Sequence, residues 1–310
     1  MRRKIISTQT VVKSTLFGIL LLSTGPSAAM SSASLTQTTL KRVPQGKLGN
    51  SKPPPEWFGI PPNANDPSWT EKNWLFSRFH FSFAEYNNPR NQNFGVLRVM
   101  NDDLVQPDRG FGEHPHANVE ICTYVVRGEL THADTLGTKE TLGRGSVQFM
   151  TAGTGVSHSE RNLSKENPLR FIQIWITTRQ RNLRPNYGST KGVCSDRLNR
   201  WSHLVSDASN SSVESPIKIN QDANIMVAEV DSGVNLELEV KEGRQCYVLA
   251  VEGSVKVEEP ASSVLLLQHD GLEVRGPAKL AFSSQVTSGE KAHVLVVEMA
   301  LDRSSGRSDL

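Results

Sequence analysis

The 310-residue chain is 37% apolar and 21% charged, with a formal net charge of +2, ordinary values for a soluble globular protein. The charge is unevenly placed: residues 1–55 hold eight Lys or Arg and no acid, which leaves 26 basic against 32 acidic groups, about −6, on the rest. A body of that sign lacks the general electrostatic basis for direct nucleic-acid binding, and three cysteines, Cys122, Cys194 and Cys246, are too few for a disulfide framework.

In chain order, residues 1–55 are expected to form a targeting peptide and disordered leader. MRRK is a basic start, and the apolar stretch Leu16 to Leu22 is followed by small residues. That stretch falls well short of the roughly 20 apolar residues that cross a bilayer, so no membrane span is expected in the mature chain. Ser/Thr richness and the absence of acid fit a plastid or mitochondrial presequence, with a secretory signal or a cytoplasmic tail as alternatives. KLGNSKPPPEWFGIPPNANDPSW then reads as an extended Pro-rich linker.

From about Asn73, short runs rich in Val, Ile, Phe, Tyr and Thr alternate with Gly, Asn and Asp turns. FGVLRV (94–99), VEICTYVVRGEL (119–130), GSVQFM (145–150), LRFIQIWI (169–176), VNLELEV (234–240) and AHVLVVEM (292–299) are examples. Their near-alternation predicts strands with one buried face, and nothing between them has helical length and period. The expectation is an all-β body of sandwiches or barrels. A faint repeat joins CTYVVRGEL (122–130) to CYVLAVEGSV (246–255), with Gly128 and Gly253 aligned 125 residues apart. Two domains follow, residues 56–190 and 191–310.

Histidine supplies only eight residues, yet His114 and His116 stand two apart in GEHPHANVEICTY, and His158 and Glu160 two apart in GTGVSHSERN. Residues i and i+2 of a strand share a face, so two strands would bring three imidazoles and a carboxylate together. That donor set suits iron, manganese, nickel, copper or zinc and is poor for calcium or magnesium. Four protein ligands around an octahedral ion leave two positions open, which points to catalysis. TAGTG ahead of His158 allows a tight turn beside the site. His132 reads as a surface residue, and His80, His203, His269 and His293 as structural. At the repeat offset, His114 and His116 meet Glu239 and Lys241, while His158 and Glu160 fall near Ser283 and Gln285, so the second half lacks the set.

G-x(3)-H-P-H-x(3)-E followed by G-x-V-Q-x-M-x-A-G-x-G-x-x-H-S-E resembles the signature of the pirins, a branch of the cupin superfamily. The resemblance extends through SRFHFSF, FGVLRVMNDD, THADTLG, PLRFIQIW and YGS, covering roughly residues 70 to 300, and is closest to bacterial pirins with quercetinase activity. It implies a bicupin of two stacked jelly-roll-like barrels, with one metal, Fe(II) by resemblance, held only in the first. The ligands it implies are His114, His116, His158 and Glu160, with Glu160 also the catalytic base and Glu120 in a supporting position. Pirins often carry Arg after HPH; Ala117 here puts substrate choice in question. A flavonol-like ring opened with O2 is the implied reaction, with Phe111, Phe149 and Met150 as candidate ring-lining residues. The non-enzymatic alternative is a metal- or redox-sensitive regulator that binds other proteins. Asn162-Leu163-Ser164 and Asn210-Ser211-Ser212 are glycosylation sequons by pattern.

Overall fold

A computed structural model describes residues 38–54, 73–287 and 289–301. The first half holds β1 (Thr39–Val43), β2 (Gly49–Ser51), β3 (Leu75–Phe79), β4 (Leu97–Val105), β5 (Arg109–His116), β6 (Val119–Arg127), β7 (Leu130–Asp134), β8 (Lys139–Leu142), β9 (Val147–Thr151), β10 (Val156–Asn162), β11 (Leu169–Thr177) and β12 (Asn186–Thr190). The second holds β13 (Ser202–Asp207), β14 (Ile217–Ile219), β15 (Ala223–Asp231), β16 (Asn235–Val240), β17 (Arg244–Glu252), β18 (Val255–Glu259), β19 (Ser262–Leu266), β20 (Gly271–Arg275), β21 (Ala278–Ser284) and β22 (Lys291–Ala300). One α-helical turn, Cys194–Arg197, lies between them.

The strands form two barrels of the same plan. In the first, the sheet β12-β9-β6-β11-β4-β3-β2 faces the sheet β5-β10-β7-β8; in the second, β1-β20-β17-β22-β15-β13-β14 faces β16-β21-β18-β19. The 125-residue offset holds at β6 and β17 and at β7 and β18. This is the all-β, two-barrel arrangement expected from the sequence.

The N-terminal segment departs from its expected role. Part of the leader and the start of the Pro-rich linker are strand: β1 adds to β20 at the edge of the second barrel, and β2 pairs with β3 in the first. Arg42 Nη2 reaches Asp270 Oδ2 at 2.5 Å, and the Gln45 amide donates to Oδ1 of the same carboxylate. The chain enters the fold by bridging both barrels. Residues 1–37, 55–72 and 302–310, which carry the rest of the leader, the rest of the linker and the polar C-terminus, lie outside the described residues.

Strand alternation sorts the core. On β6, Ile121, Thr123 and Val125 face into the first barrel, while Cys122 and Tyr124 join a cluster shared with Val205, Tyr247 and Val297 of the second half. This shared cluster cements the barrels through their larger sheets. The second barrel is filled by one continuous apolar cluster, including Val240, Val257, Leu280 and Phe282. The interior of the first is split into two, one around Trp74, Leu130 and Phe171 and the other around Ile121, Met150 and Val156. Between them runs a polar row in cross-strand register: Asn101 on β4, Gln173 on β11, Thr123 on β6 and Gln148 on β9.

Candidate metal centre and adjoining cavity

β5 and β10 pair antiparallel, placing His114 opposite His158. The register shifts between His158 and Glu160, because β5 uses three steps, from His114 to Phe111, against two on β10. Gly110, at φ +152°, admits this approach; a Cβ there would lie 2.5 Å from the Glu160 carbonyl oxygen. Gly153, in the predicted tight turn, has φ +48°, and a Cβ would meet the Leu183 carbonyl at 2.0 Å.

The rings of His114, His116 and His158 face one another, with centroids 4.7–4.9 Å apart. One ligand atom from each lies within 4.8 Å of the others. His114 Nδ1 donates to the Gly112 carbonyl at 2.7 Å, which leaves its Nε2 as a free lone pair. His116 Nε2 and both ring nitrogens of His158 are buried without a hydrogen-bond partner among the described residues. Burial, then the neighbouring histidines His158 and His114, pushes His116 down to about 4. Burial, then His114, pushes His158 down to about 3. Both are neutral at physiological pH, with lone pairs to give. Each orphaned buried nitrogen costs on the order of 1–3 kcal/mol, a cost that a divalent cation among them would relieve. The donor set fits a borderline metal ion.

Glu160 stands at the end of the polar row. Its Oε1 accepts from Gln148 Nε2 at 2.9 Å and lies 2.8 Å from Thr123 Oγ1; its Oε2 accepts from Gln173 Nε2 at 2.6 Å. The carboxylate groups with His158 and His132 within 4.8 Å rather than with all three facing histidines at once. The four predicted residues, joined by His132, therefore fall into two overlapping triads that share His158.

His132, expected at the surface, is fully buried. It lies opposite Glu160 across the β7–β10 pair. Its Nε2 donates to Asp134 Oδ2 at 2.8 Å, its ring stacks on Tyr187 at 4.5 Å, and its Nδ1 has no partner among the described residues. Glu120 is also displaced from its expected role. It lies one residue out of phase with Thr123 and faces away from the histidines, accepting from Thr151 Oγ1, the Asn220 amide and Asn220 Nδ2 at the barrel junction. The other four histidines are structural: His80 meets Tyr247, His203 meets Asn224, His269 meets Asp102, and His293 meets Tyr124 and Glu252.

A cavity of about 580 Å³ opens onto His114, His116 and Glu160. Phe111 lines it as expected, against Trp74 and Phe171. Phe149 instead packs between the barrels, and Met150 fills the first barrel's interior. The sequence reading missed Phe83, Asn101, Asp103, Gln173 and Trp175, which also line the cavity. For all of these but Phe83 the signal was the inward phase of β4 and β11, legible once Thr123 and Gln173 are paired.

In the second barrel, strand pairing places Leu238 opposite Leu280 as His114 stands opposite His158, and Phe282 opposite Val257 as Glu160 stands opposite His132. His116, opposite Val156, corresponds to Val240, opposite Ala278. The counterparts are thus Leu238, Val240, Leu280 and Phe282, not the residues at a rigid 125-residue offset. The β5–β10 register shift and a shorter path to β21 displace them. Among the described residues these counterpart positions belong to hydrophobic packing.

The sequence matches the Pirin family over residues 64–176 and the quercetinase C-terminal cupin domain over residues 207–299. A Caulobacter vibrioides pirin-like protein is 36% identical over 227 residues, 73% of this chain and 93% of the relative. The chain belongs to the pirin family. A Pseudomonas aeruginosa relative, provisionally named a quercetin 2,3-dioxygenase, is 39% identical over the same shares. Quercetin 2,3-dioxygenase of Escherichia coli K12 is 33% identical over 213 residues, 68% of this chain and 87% of that protein. The crystal structure of YhhW from Escherichia coli matches with TM-score 0.70 and 27% identity, over 85% of this chain and 98% of that one. A structure of the same bacterial pirin in complex with nickel(II) matches with TM-score 0.68 and 26% identity, over 85% and 100%.

Proposed function

We propose that this pirin is a metal-dependent dioxygenase of the quercetin 2,3-dioxygenase type, opening a flavonol or related enolic ring with O2. The observation that carries the reading is the trio of facing imidazoles, two of them with buried and unpartnered nitrogens, next to the buried Glu160 carboxylate beside an aromatic cavity. The relatives named quercetin 2,3-dioxygenase support it. In this reading His114, His116, His158 and Glu160 hold the ion, and Fe(II) is the metal. A divalent ion bound there would supply Lewis acidity, lowering the pKa of a hydroxyl brought against it.

The chain's own groups do the rest. Glu160 Oε2 keeps one lone-pair direction beyond its bond from Gln173 Nε2, and from that side it can take the proton of the substrate hydroxyl. Gln148 and Gln173 fix the carboxylate so that it meets this proton without reorganising. Phe83, Phe111 and Trp175 offer flat apolar surface to an aromatic ring and keep water from the reacting face.

The test loads residues 38–310 anaerobically with Fe(II) and follows quercetin loss and carbon monoxide release in air. A His114→Ala/His158→Ala variant serves as control. Turnover that needs metal and disappears in the control is the expected result. Metal bound without turnover overturns the dioxygenase reading, and no metal bound by the parent overturns the site itself.

A further inference from the structure

The cavity holds polar groups that the proposed chemistry does not use. Asn101 and Asp103, two apart on β4, line it from one face, and Trp175 lines it from β11. Asn101 is 3% exposed, and its Oδ1 has no hydrogen-bond partner among the described residues; Trp175 Nε1 is a buried donor with none. The Asp103 carboxyl is buried with a single recorded hydrogen bond, from Ser77 Oγ, and forms no ion pair among the described residues. Residues that carry an unpartnered acceptor, an unpartnered donor and a carboxyl without an ion pair among the described residues thus line one aromatic-walled space. A buried polar group without a partner is rare in folded proteins and calls for one.

We infer that Asn101, Asp103 and Trp175 form a hydroxyl-reading face, which selects neutral, polyhydroxylated aromatic substrates through hydroxyls other than the one surrendered to Glu160. The inference rests on the dioxygenase reading for the role of the cavity. A phenolic O–H donates to Asn101 Oδ1, and phenolic oxygens accept from Trp175 Nε1 and from the Asp103 carboxylic acid. Burial pushes Asp103 up to about 8, against the opposing bond from Ser77, so it holds a proton to donate at neutral pH. Water can satisfy these groups until a ligand displaces it, and a ring without hydroxyls displaces it at a loss. The Glu160 carboxylate would repel a ligand carboxylate.

The experiment is isothermal titration of the metal-loaded full chain, without O2, with quercetin and with 3-hydroxyflavone, which lacks quercetin's other hydroxyls. The parent is expected to favour quercetin by about tenfold or more, the equivalent of one satisfied buried hydrogen bond. Asn101→Leu and Asp103→Leu should each cut that preference while leaving 3-hydroxyflavone affinity within about threefold. Asp103→Asn, which keeps a donor, should retain it. Should a leucine variant fail to fold, the alanine variants at the same positions are read the same way. A parent without preference, or a preference that survives both substitutions, overturns the inference. Preference in the titration with no carbon monoxide release in the aerobic assay removes the dioxygenase reading and leaves the recognition face standing, whereas no flavone binding removes both.

Discussion

Two carboxyl groups of the first barrel differ in how they are held. Glu160 receives amide donors on both oxygens, whereas Asp103 has one hydroxyl and, among the described residues, no cation. Removing a donor that orients a metal-binding group typically costs 10–100-fold in affinity. Gln173→Leu is therefore expected to weaken metal binding by roughly that factor, read by competition with a chelator; unchanged affinity would separate Glu160 from the metal. Asp103 predicts a pH dependence in the metal-free protein. Its folded-state pKa, about 8, lies above the ordinary 3.8 because burial disfavours the charge. The folded state thus retains a proton that the unfolded chain releases, so the stability this carboxyl contributes is full below about pH 4 and lost as pH rises through 8. Relative to Asp103→Asn, urea midpoints of the parent should fall across that window, and parallel curves would sink the assignment. At this scale the sequence showed the histidine pairs plainly, because spacing by two is preserved by any strand. It hid His132 and Glu120, because which face of a strand points inward is set by the pairing partner, and only the assembled sheet supplies it.

At the scale of elements, β5 shows why a functional strand is hard to read. Its sequence, RGFGEHPH, has two glycines, a proline and no apolar alternation, since its inward side chains meet the candidate metal rather than a hydrophobic core. Hydrophobic periodicity found β6, β11 and β22, whose inward faces are ordinary packing, and was silent where packing gives way to chemistry. The join between β5 and β10 is correspondingly sensitive. Gly110→Ala would drive a methyl into the Glu160 carbonyl at a φ that side chains avoid. We expect metal affinity to fall by at least tenfold with global stability lowered by about 1–3 kcal/mol; a variant with normal metal uptake would show that the close approach is not needed.

Across the whole molecule, the barrels are joined by buried charge as well as apolar packing. Burial alone would raise Asp102, but bidentate Arg170, reinforced by His269 of the second barrel, holds it well below the usual carboxylate range. Arg170 Nη2 also donates to the Val251 carbonyl across the junction. Arg170→Met strands Asp102 and should cost about 3–5 kcal/mol in urea unfolding; a loss below 1 kcal/mol would mean that the junction relaxes to admit water. The bridging segment at the N-terminus makes a parallel prediction. A chain starting at residue 56 loses β1, β2 and the Arg42 partner of fully buried Asp270. It should melt well below one starting at residue 38, and equal melting would make these strands dispensable. The sequence reading placed this segment outside the fold, because a short edge strand bound mainly through its backbone leaves little trace in side-chain pattern.

Asn162 belongs to a sequon, yet in the fold it is wholly buried, its amide donating to the carbonyls of Val105, Gln106 and Asn167. Asn210, in the other sequon, is exposed. A sugar on Asn162 is incompatible with the folded strand that carries His158 and Glu160. In a compartment that glycosylates nascent chains, transfer at Asn162 would compete with closure of β10, and every chain modified there would be lost to the active pool. Expression through a secretory lumen would thus divide the protein into two populations, one folded and bare at Asn162 and one glycosylated and misfolded, while Asn210 accepts a glycan without consequence for the site.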